Sequence, residues 1–481
     1  MKDIFKRIIA ATLRFEAKLI LKKYRPRIIA VTGSVGKTST KDAIFAVLAD
    51  DKHVRKSDKS FNSEIGLPLT IIGVPNAWSN PLRWLQNIMD GLLLVLIRTD
   101  YPKWLVLEVG ADRPGDISSL ASWLSVDVAV VTRLPEVPVH VEYFSSPEEV
   151  AAEKASIINA LHPDGTLVVY ADDARVDMLR EKALAKGAHV VTFGLSSTAD
   201  VQGRDFAPFS QEDTGPWPVG MRATIMMGEE GSVSIAGVLG SPALLSAIAA
   251  AAVGKALGMR VDQITRSLGR YEPPNGRMRL LPGLKGSLII DDTYNSSPAA
   301  VEAALETLRS IKRSASGSAI PADGITPVRR IASGSAIPAD GITPVRRIAS
   351  GSAIPADGIT PVRRIAVLGD MLELGRHSVD EHRKVGALVA KCADMLVTVG
   401  FRARDIAIGA LDAGMADGAI LQYEEASKAG EELQAMLDDH DCVLVKGSQS
   451  IRTEKIVERL MLEPEKAEAL LVRQEANWRR R

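Results

Sequence analysis

The run Ile28-Ile29-Ala30-Val31-Thr32-Gly33-Ser34-Val35-Gly36-Lys37-Thr38-Ser39-Thr40 constrains this chain more than any other segment. Apolar, mostly β-branched residues lead into two glycines, a lysine and hydroxyl residues, the pattern of a buried strand turning through a glycine loop into a helix. Gly33 and Gly36 let backbone N–H groups approach phosphate oxygens, and the following helix adds its positive N-terminal end. Lys37 is placed to reach terminal phosphates and Thr38 to give a hydroxyl to Mg²⁺, with Ser34 and Ser39 in the same nucleotide cradle. The general phosphate-loop pattern wants a further glycine where Val31 stands, so this is a shortened variant. A plain strand-to-helix turn is the alternative; the strand before and helix after favour nucleotide binding.

The remainder alternates short β-branched runs with helical patterns, which predicts an α/β protein whose mostly parallel sheet is covered by helices. Strands are expected at Arg27–Thr32, Trp104–Glu108, Val126–Thr132, Thr166–Tyr170, Leu288–Asp291, Arg364–Leu368, Met395–Val399 and Cys442–Val445, and a helix over Pro147–Leu161. Alternation through Val219, Met221, Ala223, Ile225 and Met227 predicts antiparallel strands between about 200 and 238. A change of texture at Tyr271-Glu272-Pro273-Pro274-Asn275-Gly276 marks a linker. The expected organisation is an N-terminal amphipathic helix over 1–26, a central P-loop ATPase-type domain over 27–275, a Rossmann-like α/β domain over 276–462, and a charged helix or tail over 463–481.

A length of 481 residues leaves room for about three domains. The 59 Lys and Arg balance 59 Asp and Glu, so no global charge draws the protein to nucleic acid or an anionic membrane, and any phosphate site must be local. Two cysteines, Cys392 and Cys442, exclude a disulfide framework and a cysteine-based zinc site and point to a reducing, cytoplasmic setting. The most apolar stretch, Ile88–Ile97, is ten residues long and carries Asp90, short of the ~18 uncharged apolar residues of a membrane span. Lys2, Lys6 and Arg7 ahead of Ile8, Ile9, Leu13, Leu19 and Ile20 read as a packing helix, not a signal peptide, with membrane-surface contact as the second reading. A perfect repeat, SGSAIPADGITPVRRIA, occupies 316–332, 333–349 and 350–366. Two copies are expected to form a surface loop, an insertion over about 314–363, while the third runs into the strand at Arg364. Setting two copies aside reduces the expected three domains to two.

Other candidates for chemistry are less specific. Glu108 closes an apolar strand at the edge where ligands gather in open α/β sheets, and is placed to hold a metal bridging nucleotide phosphates; a helix cap or salt bridge is the alternative. His140, and Lys154 in the expected helix, carry no assignment from spacing alone, since a satisfied histidine and a solvated lysine are the ordinary case. Asp291-Asp292-Thr293-Tyr294-Asn295 ends a strand in paired carboxylates that could bind metal, ribose or amine, or cap a helix.

Taken together, VTGSVGKTSTK, SFNSEIGLPLT, LEVGADRPGDI, HVEYFSSPEEVAAEK, NGRMRL, IIDDTYNSSPAAVEAAL, AVLGDMLELGRHSVDEH and VLVKGSQSIRTEKIVERL resemble, in order, the motifs of the Mur ligase family. These are the ATP-dependent amide-forming enzymes of peptidoglycan precursor synthesis. The resemblance covers about residues 27–460, and DDTYNSSP with GDMLELG is specific to the branch that adds D-alanyl-D-alanine. It implies an acid–amino-acid ligase in which ATP phosphorylates the carboxylate of a muramoyl-tripeptide and D-Ala-D-Ala attacks the acyl phosphate. It further implies ATP and paired Mg²⁺ ions as cofactors and a monomer without nucleic acid partners. Lys37 and Thr38 match the family's phosphate and Mg²⁺ ligands, Glu108 a metal-binding glutamate and His140 a second metal-site histidine. Lys154 resembles the lysine that becomes carbamylated, which turns a cation into an anionic oxygen donor suited to Mg²⁺. Asp292 and Asn295 match residues around the nucleotide, and Arg277 resembles the linker arginine near the terminal phosphate. Asn62, Asp370, Lys446 and Ser448 fall in motifs assigned to the substrate side.

The pattern departs from the family in places. A UDP-sugar-binding domain ahead of the glycine loop is expected to be absent, and Arg133 stands where an asparagine is usual. Pro242 and Ser246 replace a histidine and an asparagine, and Gln449 an arginine. These departures motivate two alternatives: a Mur-like ligase acting on a lipid-linked or polymeric carboxylate, and a nucleotide-binding partner protein without turnover.

Overall fold

The computed structural model describes residues 2–58, 61–78, 80–211, 215–312, 361–475 and Trp478. Among these, the β-branched runs pair into two sheets. β1 (Arg27–Thr32), β2 (Val54–Lys56), β3 (Trp104–Glu108), β4 (Val126–Val131), β5 (Leu161–Tyr170), β6 (His189–Gly194), β7 (Val201–Phe209), β8 (Gly220–Met226) and β9 (Glu230–Ala236) form the first. Its order is β2-β3-β1-β4-β5-β6-β7-β8-β9. Pairings are parallel as far as β7, and β8 and β9 add antiparallel, as the alternation after residue 200 predicts. β10 (Arg279–Pro282), β11 (Leu288–Asp292), β12 (Arg363–Gly369), β13 (Met395–Val399), β14 (Ile420–Tyr423) and β15 (Asp441–Lys446) form the second, ordered β10-β11-β15-β12-β13-β14. Only β10 is antiparallel there. Parallel strands covered on both faces read as continuous apolar runs, which is why β1, β3, β4 and β15 stand out in the sequence. The short strands β2 and β14 lie at sheet edges, are half exposed and give no such run.

The expected helix over Pro147–Leu161 is shorter: its α-helical part is Pro147–Ala155, followed by a 3₁₀ turn over Ser156–Ala160. Leu161 already pairs with Val126, and the register then shifts so that Val128 faces Thr166. The intervening residues include Pro163, which cannot continue a helix, so the chain bulges outward before resuming the strand.

Four helices precede β3: α1 (Lys2–Tyr24), α2 (Lys37–Ala49), α3 (Gly66–Ile72) and α4 (Pro81–Leu96). α1 is a packing helix that buries Ile9, Leu13, Ala17 and Ile20 in one cluster with Ile28, Leu105, Leu107 and the residues of α3. The opposite face of the sheet is covered by α2 and by the helix Ser241–Ala256, which is buried along most of its alanine-rich length. Most of the repeat lies outside the described residues; the end of the third copy supplies Arg363–Ala366, the start of β12. Part of the expected charged tail packs onto the second sheet: Arg473 is buried, donates to Tyr294 O (3.0 Å) and pairs with Glu454 (2.9 Å). No helix among the described residues is long and apolar enough to cross a membrane.

Candidate active site

Parallel strands deliver their C-terminal ends to one edge of the sheet, so the residues just beyond β1, β3 and β4 meet there. After β1 the chain turns through Gly33 (φ 136°) and Gly36 (φ 85°). A Cβ on Gly33 would lie 1.9 Å from Thr132 Oγ1, so both backbone conformation and space demand glycine. Gly36 caps α2 without any side-chain acceptor, leaving first-turn N–H groups available to an anion. Lys37 Nζ reaches back to Gly33 O (3.0 Å), and Ser34 Oγ is buried with no hydrogen-bond partner among the described residues.

One helical residue further, Thr38 Oγ1 donates to Glu108 Oε2 at 2.9 Å. Glu108 is buried; Asn62 Nδ2 approaches its Oε1 at 3.5 Å, Lys41 Nζ lies 4.0 Å from its Oε2, and its N–H donates to Ser57 Oγ (3.1 Å). Asn62 therefore stands beside the candidate metal carboxylate. Ser39 contributes its carbonyl, which accepts from Tyr271 Oη at 3.1 Å.

Lys154 comes to the same edge from the helix Pro147–Ala155, whose start is fixed by Ser146 accepting from Glu149 N (3.3 Å). Its side chain is 1% exposed. Burial, and then the nearby Lys37 charge, push its pKa down to about 7 against the opposing pull of Asp112, Glu153 and Asp116. Lys37 is shifted the same way by desolvation, with Glu108 opposing and Arg277 adding to the fall. His140 (φ 70°) sets Nδ1 2.7 Å from Glu373 Oε2, though out of line for a hydrogen bond, and Nε2 3.6 Å from Asp112. Glu373 belongs to the second unit, and its carbonyl accepts from Glu142 N (3.2 Å), so the two units touch at this histidine.

The edge of the second sheet carries its own cluster. Asp292 and Lys446 are register partners on neighbouring parallel strands, which places their side chains on one face. Lys446 Nζ lies 2.5 Å from Asp292 Oδ2 and 2.9 Å from Asn295 O, and Asp292 Oδ1 accepts from Met278 N (3.2 Å). Burial lowers the Lys446 pKa and raises that of Asp292, and each opposes the other's shift. Burial also raises Asp291 to about 6, although it accepts from Thr293 N and Oγ1. Arg277 stacks 4.0 Å above the Tyr294 ring, its Nε buried and without a hydrogen-bond partner among the described residues. Asp370 and Ser448 are tied into the loops themselves: Asp370 Oδ1 accepts from Ala403 N (2.8 Å), its carbonyl from Ser448 N (3.0 Å), and Ser448 Oγ from Leu372 N (2.9 Å).

Between the units lies a cleft of about 510 Å³, lined among others by Arg133, Tyr170 and Arg175 on one side and Glu302 and Lys384 on the other. Arg133 joins it to the phosphate loop, its carbonyl accepting from Ser34 N (3.0 Å) and its guanidinium 4.0 Å from Glu302. The structure thus gathers Gly33, Ser34, Gly36, Lys37, Thr38, Asn62 and Glu108 into one cluster flanked by His140 and Lys154. Arg277, Asp292, Asn295 and Lys446 form a second cluster. Glu373, Asp112, Lys41 and Arg473 join these sites without having been singled out from sequence. Lys41, one turn beyond Lys37 on the same helix face, carried a faint signal, and Arg473 none.

A glycine phosphate loop and hard oxygen donors at the edge of one parallel sheet, facing a second parallel sheet across a cleft, define a two-unit phosphate-loop α/β protein. The Mur ligase middle domain matches residues 86–254 and the Mur ligase glutamate ligase domain residues 354–449. The UDP-N-acetylmuramoyl-tripeptide–D-alanyl-D-alanine ligase of Bacillus subtilis is 27% identical over 449 residues, covering 93% of this chain and 79% of the relative. The enzyme of the same name from Mycobacterium tuberculosis H37Rv is 28% identical over 442 residues, covering 88% and 70%. Among solved structures, MurF ligase from Thermotoga maritima in complex with ADP superposes with a TM-score of 0.69 at 23% identity, over 95% of this chain and 84% of that one. MurF from Acinetobacter baumannii gives 0.67 at 21%, over 93% and 79%. The chain belongs to the Mur ligase family.

Proposed function

We propose that this protein is an ATP-dependent ligase that joins D-Ala-D-Ala to the carboxylate of a UDP-MurNAc-tripeptide, the reaction for which its relatives are named. The observation that carries this reading is similarity to such ligases along 93% of the chain, combined with an assembled Lys37–Thr38–Glu108 cluster.

The residues present fit ATP and Mg²⁺. The Thr38 hydroxyl and Glu108 carboxylate are hard oxygen donors of the kind Mg²⁺ takes, and Ser34 Oγ and Arg277 Nε are buried polar atoms without hydrogen-bond partners among the described residues. Bound Mg²⁺ neutralises phosphate charge so that an anionic carboxylate can approach. Gly33, Ser34, Gly36 and Ser39 cradle the phosphates, Lys37 holds the terminal ones, and Arg277 adds positive charge from the second unit. Burial holds the Lys154 pKa down at about 7, which favours the neutral amine, the form that adds CO₂. The carbamate, formed with loss of a proton to solvent, and His140 would hold a second Mg²⁺. Asp292 and Asn295 face the nucleotide, while Asn62, Asp370, Lys446 and Ser448 shape the substrate side. A cytoplasmic setting belongs to this reading, supported by two free cysteines, both buried.

Purified protein given ATP, Mg²⁺, UDP-MurNAc-tripeptide and D-Ala-D-Ala should release phosphate only when both substrates are present. Release dependent on a different carboxylate or amine overturns the substrate assignment and keeps the ligase chemistry; no release with any pair overturns both.

A further inference from the structure

A surface helix normally turns its one apolar stripe inward. α4 does this with Trp84 and Gly91, then carries a second stripe on its outer face: Leu82, Leu85, Met89, Leu92 and Leu96, spaced by three and four residues, are 40% to 78% exposed. Leu93, Ile97 and Trp78 widen and extend it, all of them exposed. The outward orientation is fastened from within. Asn80 caps the helix by accepting from Leu82 N (3.0 Å) and Arg83 N (3.1 Å), and Asn87 Nδ2 donates to Pro75 O (2.8 Å). At the far end Lys23 of α1 donates to the carbonyls of Leu94, Val95 and Ile97 at 2.7 to 3.0 Å.

The charges around this stripe identify what covers it. Arg83 and Arg98 are exposed at the two ends of α4, and the adjoining α1 exposes Lys6, Arg7, Lys18 and Lys22 beside Ile8 and Phe15. Between residues 6 and 24 the one acidic side chain, Glu16, is buried. A second copy of the chain would bring two such cationic rims together, whereas an anionic bilayer accepts both the apolar stripe and the rim. The zero net charge of the chain makes this a local concentration.

We propose that α4, flanked by α1, docks the protein on an anionic phospholipid surface. The docking face shares no residue with the phosphate loop and is independent of the ligase reading, so either can fail alone.

The test is flotation of the full chain with vesicles of phosphatidylcholine alone or mixed with phosphatidylglycerol, at low and high salt. The protein should float with the mixed vesicles and be released by salt. Leu85→Ser with Met89→Ser and Leu92→Ser should lower the bound fraction about tenfold while circular dichroism and nucleotide binding stay unchanged. Lys18→Glu with Lys22→Glu should weaken binding to mixed vesicles alone. Failure to float with mixed vesicles, equal binding to both compositions, or indifference to both variants overturns the proposal. Self-association in light scattering that the serine variant abolishes assigns the face to a second copy instead.

Discussion

The two sheets end in clusters of similar composition and opposite character. At the first, Lys154 is buried and Lys37 half-buried, and the two repel each other, with Ser34 Oγ nearby lacking a hydrogen-bond partner among the described residues. At the second, Lys446 is just as buried but sits 2.5 Å from Asp292 and is bonded to Asn295 O. Lysines that repel each other without a carboxylate in direct contact suit a bound anion, whereas a lysine in direct contact with a buried carboxylate ties its own loops together. The difference supports the phosphate role proposed for the first edge, since the second already pairs the charge of its lysine.

Four substitutions would break or sharpen this contrast. Lys37→Ala should reduce phosphate release about 10³-fold with little change in thermal stability; a variant that keeps its rate removes the phosphate role. Lys446→Met leaves Asp292 buried and unpaired and should cost about 3 kcal/mol in denaturant unfolding, most of it recovered by adding Asp292→Leu. If the single and double variants unfold alike, the pair is not what that edge depends on.

The third is a pH effect. In metal-free protein the folded pKa of Lys154, about 7, lies below its ordinary 10.5, so the folded state binds fewer protons than the unfolded between these values. The resulting penalty is complete below pH 7 and gone above 10.5. Lys154→Met should therefore raise Tm by several degrees near pH 7, with a gain that shrinks as pH rises; a gain constant with pH refutes the depressed pKa. The smallest effect belongs to Arg133→Ala, which removes a partly exposed 4.0 Å pair across the cleft and should change stability by less than about 1 kcal/mol. A larger loss would show that the two units depend on that contact.

Much of the first cluster was legible in the sequence because its parts are local. The strand, glycines, lysine and threonine of the phosphate loop are contiguous, and Glu108 ends an unbroken apolar run. Glu373 was not legible as the partner of His140, because the two meet only when the second unit lies against the first. The displaced helix boundary near Ala155 has a similar origin: the pairing of Leu161 with Val126 decides where the helix must stop. Arg473 lies in a charged C-terminal run that reads as solvated, yet it is buried against Glu454 and the loop after β11.

By itself the sequence determined the α/β class, the phosphate loop, the family and the parallel strands, since each is written in a short period or a contiguous motif. The tertiary structure decided which buried charges have partners. It also decided that the outer stripe of α4, apolar enough to suggest burial, faces outward beside a cationic rim. Pairing and exposure depend on what distant segments bring alongside, and no local pattern carries that information.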